Sequence, residues 1–161
     1  MLKTGITSKA FVRTTGSYGS PTFTEVSIIN DLTQNATAQE AEANDRSSPV
    51  NKSVITSIDL NWTGTMKKDL SATWTLIYEA MLEGATLDML FLDGGSTTNN
   101  TTGYRADVQV FDVTEDQGRN TRLYNSVKFM PTESDNPVKA VLVTAGALTY
   151  ATVTGTTLSY A

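Results

Sequence analysis

Asp69-Leu70-Ser71-Ala72-Thr73-Trp74-Thr75-Leu76-Ile77-Tyr78-Glu79-Ala80-Met81-Leu82-Glu83-Gly84 reads as the one convincing helix in a chain otherwise written for strands. Trp74, Ile77, Tyr78, Met81 and Leu82 recur at the i, i+3, i+4, i+7, i+8 spacing of a single apolar face. Asp69 or Ser71 can cap its start, and Gly84 stands where a left-handed residue closes a helix. The pattern predicts a helix over about residues 70–83. Leu87 to Leu92 follows at once with the texture of a strand.

Outward from the helix, the alternation is of period two. Val54 to Thr63 is the clearest strand, with Ile58, Leu60 and Trp62 on one side and Ser57, Asp59, Asn61 and Thr63 on the other. The first side is assigned to the core, together with Trp74, Ile77, Tyr78 and Met81 of the helix. Lys9–Thr15, Phe23–Ile29, Tyr104–Val113, Thr121–Met130 and Val138–Thr144 are further strand candidates, and Gly146–Tyr160 is one more strand or an arm. The 27 threonines support this reading, because a β-branched side chain packs well on a pleated surface. Asn30 to Lys52 is different: small and polar, helix-leaning over Ala36–Ala43, and expected as a long functional loop. The segment from Asp93 to Gly103 is expected as a mobile Thr/Asn/Gly loop. About seven strands and one helix make a mainly β protein, a β-sandwich or partly closed barrel with a flanking helix. Residues 1–143 form its body, with a docking loop over 30–52, and residues 144–161 a C-terminal strand or arm.

Composition removes most chemistry. The 161 residues contain no cysteine and no histidine, so thiolate nucleophiles, disulfides, histidine triads and histidine-ligated zinc are excluded. No phosphate loop or nucleophile elbow occurs. Asp112, Glu115 and Asp116 lack the glycine and distal glutamate of a calcium loop and read as a solvated turn. Neither an enzyme nor a cofactor is expected. Seventeen acids against twelve bases give a net charge of −5, the wrong sign for gripping nucleic acid. No secretory leader or membrane span is read in the sequence. Asp45-Arg46 breaks the small polar stretch with adjacent opposite charges, read either as two unrelated surface ions or as a docking point for a neighbouring subunit.

The order of these pieces resembles the tail tube (major tail) proteins of long-tailed bacteriophages. The likeness is carried by Ala41 to Ser48, Ser57 to Trp62, the helix ending in Glu83-Gly84, Leu90 to Asp93, and the closing part Tyr104 to Pro131; it spans about Phe11 to Val143. The resemblance implies a virion protein of the tail, assembled in the host cytoplasm. Its copies would form hexameric rings that stack into a tube, with each sheet completed by neighbouring subunits into a tube-lining barrel. Partners would be the tape measure protein and tail terminator, with DNA passing through unbound. On that reading Glu40, Glu42, Asp45, Arg46 and Lys52 are expected at ring-to-ring contacts. Ser57, Asp59, Asn61, Asp107 and Gln109 are expected to face the lumen. The rival readings are another ring-forming virion part (terminator, head–tail connector or decoration protein) and a carbohydrate-binding sandwich using Trp62, Tyr104 or Tyr124.

Overall fold

The structure, a computed structural model, describes residues 8–42, 53–115, 124–153 and 160. They form nine strands and one helix: β1 (Lys9–Ser17), β2 (Ser20–Glu25), β3 (Ile29–Glu42), β4 (Ser53–Lys67), α1 (Ala72–Glu83), β5 (Leu87–Leu92), β6 (Thr102–Glu115), β7 (Tyr124–Pro131), β8 (Lys139–Thr144) and β9 (Ala147–Thr152). All strand pairs are antiparallel, in one sheet of order β2-β1-β5-β6-β7-β4-β3 that is not closed into a barrel. Its branch point is β6, whose Thr102–Arg105 pairs with β8 while Val108–Glu115 pairs with β7. The mainly β architecture with one flanking helix is the one expected.

The helix forms for the reasons its sequence gives. Ser71 is its N-cap, its hydroxyl accepting from the Trp74 amide at 3.3 Å, and Asp69 in turn accepts from the Ser71 amide. Those hydrogen bonds to Ser71 hold the exposed Asp69 carboxyl below its ordinary pKa. Gly84 closes the helix at φ 64°. Trp74, Ile77 and Ala80 are buried, with Tyr78 and Met81 packed beside them. Leu82, expected on the same face, is 66% exposed. It lies roughly 140° around the axis from Ile77, beyond the edge of the stripe.

The core has two parts because β5 is covered on both faces. Leu87, Met89 and Phe91 join Trp62, Met66, Ile77, Val108, Val127 and Phe129 on the helix side, where the Trp62 and Phe91 rings stack at 4.1 Å. Leu90 and Leu92 face the other way, toward Phe11, Val141, Phe23, Leu148 and Tyr150. A strand buried on both faces reads as an unbroken apolar run, as Leu87–Leu92 does, with Asp88 its one exception.

Three expectations need correction. Residues 30–42 are not loop but strand β3, paired with β4 from Ile29↔Met66 to Glu42↔Ser53; the rest of the expected docking loop, 43–52, lies outside the described residues. The helical leaning of Ala36–Ala43 is overridden by that pairing. The Asp93–Gly103 connection is tied down: Asp93 accepts from the Thr102 amide and hydroxyl at 2.8 Å each, and Thr101 is buried. Finally, Ile58 is not core. It is 61% exposed, because Trp62 is the last residue of β4 that β7 covers. Leu60, next along, is half-buried and packs at the core's margin. At the other end of the chain, β9 forms a hairpin with β8 through Ala145 and Gly146, both at positive φ (52° and 76°), as a two-residue turn requires.

Candidate assembly surface

The most unusual feature of the molecule is how far β3 and β4 outrun the rest of the sheet. They pair with each other over their whole lengths, but β7 accompanies β4 only along Trp62–Lys67. Ser53–Asn61 with its partner stretch of β3 is therefore a two-stranded ribbon, about 30 Å long at the usual strand rise. A ribbon of two strands is marginal in water on its own.

Its two faces are chemically opposite. Cross-strand partners share a face, so Ala36 lies with Leu60 and Ala38 with Ile58, continuing outward from the buried Trp62. A bulge keeps this face apolar. The register shifts between Gln39↔Ser57 and Glu40↔Ile55, leaving Thr56 as the extra residue, its hydroxyl donating to the Gln39 carbonyl. Ile55 thereby returns to the side of Ile58; without the bulge it would point the other way. Ile55 and Ile58 are 65% and 61% exposed. Opposite them runs a polar ladder: Asn35 donates to Asn61 at 3.1 Å and Gln39 to Asp59 at 2.7 Å, with Thr37 across from Asp59 and Ser57 across from Gln39.

Three of the residues expected to face the lumen, Ser57, Asp59 and Asn61, thus share the polar face of the ribbon. The other two do not join them. Asp107 and Gln109 stand on β6, separated from β4 by β7. Asp107 is buried and accepts from Asn136 Nδ2 at 2.8 Å, which removes it from the solvent-facing set. Gln109 donates to the Gly84 carbonyl and ties the end of α1 to β6. Glu40 and Glu42 are exposed near the end of β3, on the apolar side of the ribbon. Asp45, Arg46 and Lys52 lie outside the described residues.

Between the apolar face of the ribbon and the body is a groove of about 520 Å³, lined by Ile58, Leu60, Tyr104, Met130, Pro131 and Val153 among others. Nothing in the local sequence announces it, since its walls come from β3, β4, β6, β7 and the segments flanking β8 and β9.

A buried charged cluster escaped sequence reading altogether. The Asp88 carboxylate accepts from Arg105 Nε at 3.0 Å and Nη2 at 2.7 Å, and from Arg13 Nε at 2.8 Å. Arg105 also donates to the Tyr18 carbonyl at 2.9 Å, and its guanidinium lies 3.8 Å from the centre of the Tyr18 ring. Burial works against the charge on Arg105, but the hydrogen bonds and charge of Asp88 outweigh it and hold its pKa above the ordinary value. Burial pushes the phenols of Tyr18 and Tyr150 up, against the opposing pull of Arg105. With Asp88 and Arg105 buried and Arg13 at its partly exposed rim, this cluster fastens the β1–β2 turn to β5 and β6. The sequence signal was a lone aspartate inside an apolar strand, which asks for a buried cation.

No family model matches the sequence, and no curated protein matches it. Solved structures do. A chain in the tail of empty gene transfer agent particles, refined helically with C6 symmetry, superposes with a TM-score of 0.62 at 7% identity, over 81% of this chain and 92% of that one. A chain of the native gene transfer agent virion gives a TM-score of 0.59 at 5% identity, over 78% and 92%. A chain of the six-fold symmetrised anti-feeding prophage baseplate gives 0.56 at 10%, over 84% and 91%. At these identities the likeness is one of fold. This chain has the fold of chains found in phage-related tail and baseplate particles.

Proposed function

We propose that the protein is a structural, non-enzymatic virion component whose copies form hexameric rings that stack into a tail tube. The single observation that carries this reading is the ribbon. Folding of one copy leaves Ile55 and Ile58 in water on a marginal two-stranded extension. β3 ends the strand order of the sheet among the described residues, with β4 its one neighbouring strand there, and such an edge is satisfied when a second copy closes it. The six-fold particles that share the fold are multi-subunit assemblies, which supports the same conclusion.

The two faces of the ribbon then take different roles. Neighbouring copies cover the apolar face, and ribbons side by side complete a barrel whose polar face lines an aqueous bore. Ser57, Asp59 and Asn61 face that bore; a wall carrying carboxylates lets DNA slide without adhering. The tape measure protein and a tail terminator are the expected partners. Ring-to-ring contact is assigned to Glu40, Glu42, Asp45, Arg46 and Lys52.

Electron microscopy and sedimentation of the purified chain test the proposal. Rings or tubes are the expected result. A monodisperse monomer at high concentration would overturn it. Charge reversal at Asp45 or Arg46 is expected to lower tube yield with rings still formed.

A further inference from the structure

We propose that Asp93-Gly94 is a latent isoaspartate site, gated by Thr102, at which the chain modifies itself when the β5–β6 connection opens. It is the single Asp-Gly step in the sequence, and no Asn-Gly step occurs. An aspartate closes most readily on its own backbone when glycine follows, because glycine puts no side chain in the path of the ring. Packing imposes the pair. Position 93 uses a carboxylate: Asp93 Oδ1 accepts from the Thr102 amide and Oδ2 from the Thr102 hydroxyl, each at 2.8 Å. The Asp93 amide returns a bond to the Thr102 carbonyl at 3.0 Å, so the two residues are clamped together three times. Position 94 requires glycine: a β-carbon there would meet Thr101 Oγ1 at 2.7 Å, and Thr101 is buried. The clamp and the close approach together place the most labile dipeptide of the chain at the end of β5.

The reaction needs no partner but water. The Gly94 amide nitrogen attacks Cγ of the Asp93 carboxyl group. A C–N bond forms, and the carboxyl hydroxyl leaves as water with the amide proton. Water then opens the succinimide at either carbonyl. One opening returns aspartate; the other gives isoaspartate, an isomer of unchanged mass whose main chain is one methylene longer. The folded clamp opposes the first step in two ways. Attack requires Cγ to turn over the Gly94 nitrogen, whereas both carboxylate oxygens are held toward Thr102. It also requires the Gly94 peptide to rotate, and the Thr101 side chain lies against it. Asp93, Gly94 and Gly95 are only half-buried, so water reaches the site once the clamp opens. The lengthened link would fall just before the main-chain bonds that join Asn100 and Thr101 to Val143 at 3.0 and 2.9 Å. An isomerised copy therefore cannot re-form the same clamp, and the change accumulates as a record of how often the connection has opened.

The test incubates the full chain at neutral pH, either folded in buffer below its melting temperature or unfolded in urea. Isoaspartate is counted in the tryptic peptide Asp69–Arg105 by electron-transfer fragmentation, which places it at residue 93. The folded parent is expected to accumulate it about tenfold more slowly than the unfolded chain, or slower still, the worth of one hydrogen bond to a charged group. Thr102→Val keeps the side-chain shape and removes the hydroxyl donor. It is expected to move the folded rate toward the unfolded one, while Thr102→Ser stays at the parental rate. Asp93→Glu, whose longer side chain would have to close a larger ring, is expected to remove the signal. Equal rates for the folded and unfolded parent would overturn the inference, and that comparison decides it even where Thr102→Val does not fold. A parental rate in folded Thr102→Val would overturn the role of Thr102 as the gate. The measurement reads single copies, so its outcome is independent of the assembly reading above.

Discussion

Replacing Ile55 and Ile58 together by serine separates the stability of one copy from the association of many. Each side chain is already more than 60% exposed, at 65% and 61%. Folding of a single copy has therefore gained little from them, and their loss falls in the range of surface substitutions, within about 0.5 kcal/mol each. Association is another matter. Full burial of an isoleucine is worth about 1.5–3 kcal/mol, and roughly three-fifths of that remains to be gained at each position. The pair thus contributes about 2–4 kcal/mol per interface, or roughly 30- to 1000-fold in the association constant.

Two measurements check the prediction. Urea denaturation of the non-assembled chain should give the parental midpoint and slope. Sedimentation velocity across a concentration series should show rings or tubes appearing only at much higher concentration, or not at all. The reverse pattern, a clear loss of stability with parental assembly, would refute the reasoning. It would mean that the apolar face of the ribbon folds back on its own body and has no neighbour to meet.

Asp88→Ala should destabilise the chain by about 3–5 kcal/mol, read as a fall in the urea midpoint, because it leaves the buried Arg105 without its carboxylate; Arg105→Met should cost less, because Asp88 keeps its hydrogen bond from Arg13. Arg105→Lys should not restore stability, since lysine lacks both the two-pronged grip on Asp88 and the flat contact with Tyr18. Ser71→Ala should cost about 1 kcal/mol through the lost helix cap, with Ser71→Asp close to the parent. Tyr18→Phe should be neutral or stabilising by up to about 1 kcal/mol at neutral pH, because the Tyr18 hydroxyl is buried with no hydrogen-bond partner. Alkaline pH should destabilise the fold. Tyr18 and Tyr150 have pKa values raised above 10.0, so the folded chain holds those protons more tightly than the unfolded one. Stability is full below the unfolded value and is lost as pH rises through the folded values; a Tyr18→Phe/Tyr150→Phe variant should show a flatter decline above about pH 10.

What was legible in the sequence was whatever local chemistry decides. Ser71 and Gly84 bound the helix because capping needs only neighbouring residues, and Leu87–Leu92 was readable because burial on both faces leaves an unbroken apolar run. Two features were not legible, for different reasons. The Asp88–Arg105 pair joins residues 17 apart on adjacent strands, so a lone aspartate in an apolar strand asks for a cation without showing which one. Strand β3 was hidden because nearly all of it is exposed. A strand with no buried face shows no contrast between alternate positions, and its small residues lean toward helix. Only its long partner, β4, makes it a strand.

The misplacement of Ile58 teaches more than the correct assignments do. Alternation along β4 placed Ile58, Leu60 and Trp62 on one face, and the register confirms that they share it. The error was to equate a shared apolar face with a covered one. Exposure rises outward along that face, from Trp62, which is fully buried, through Leu60, half-buried, to Ile58 at 61%. Sequence reports which side a residue is on, whereas coverage depends on how far the neighbouring strands extend. Where an apolar face outruns its own cover and a bulge at Thr56 keeps Ile55 on that face, the pattern asks for cover from another molecule. The bulge is the decisive detail. Solubility of a lone copy would favour turning Ile55 away from Ile58; the register keeps them together at the cost of a disturbed ladder. That choice makes physical sense for a face that meets a neighbour, and for a ribbon whose other side, with Asp59 and Asn61, stays in water.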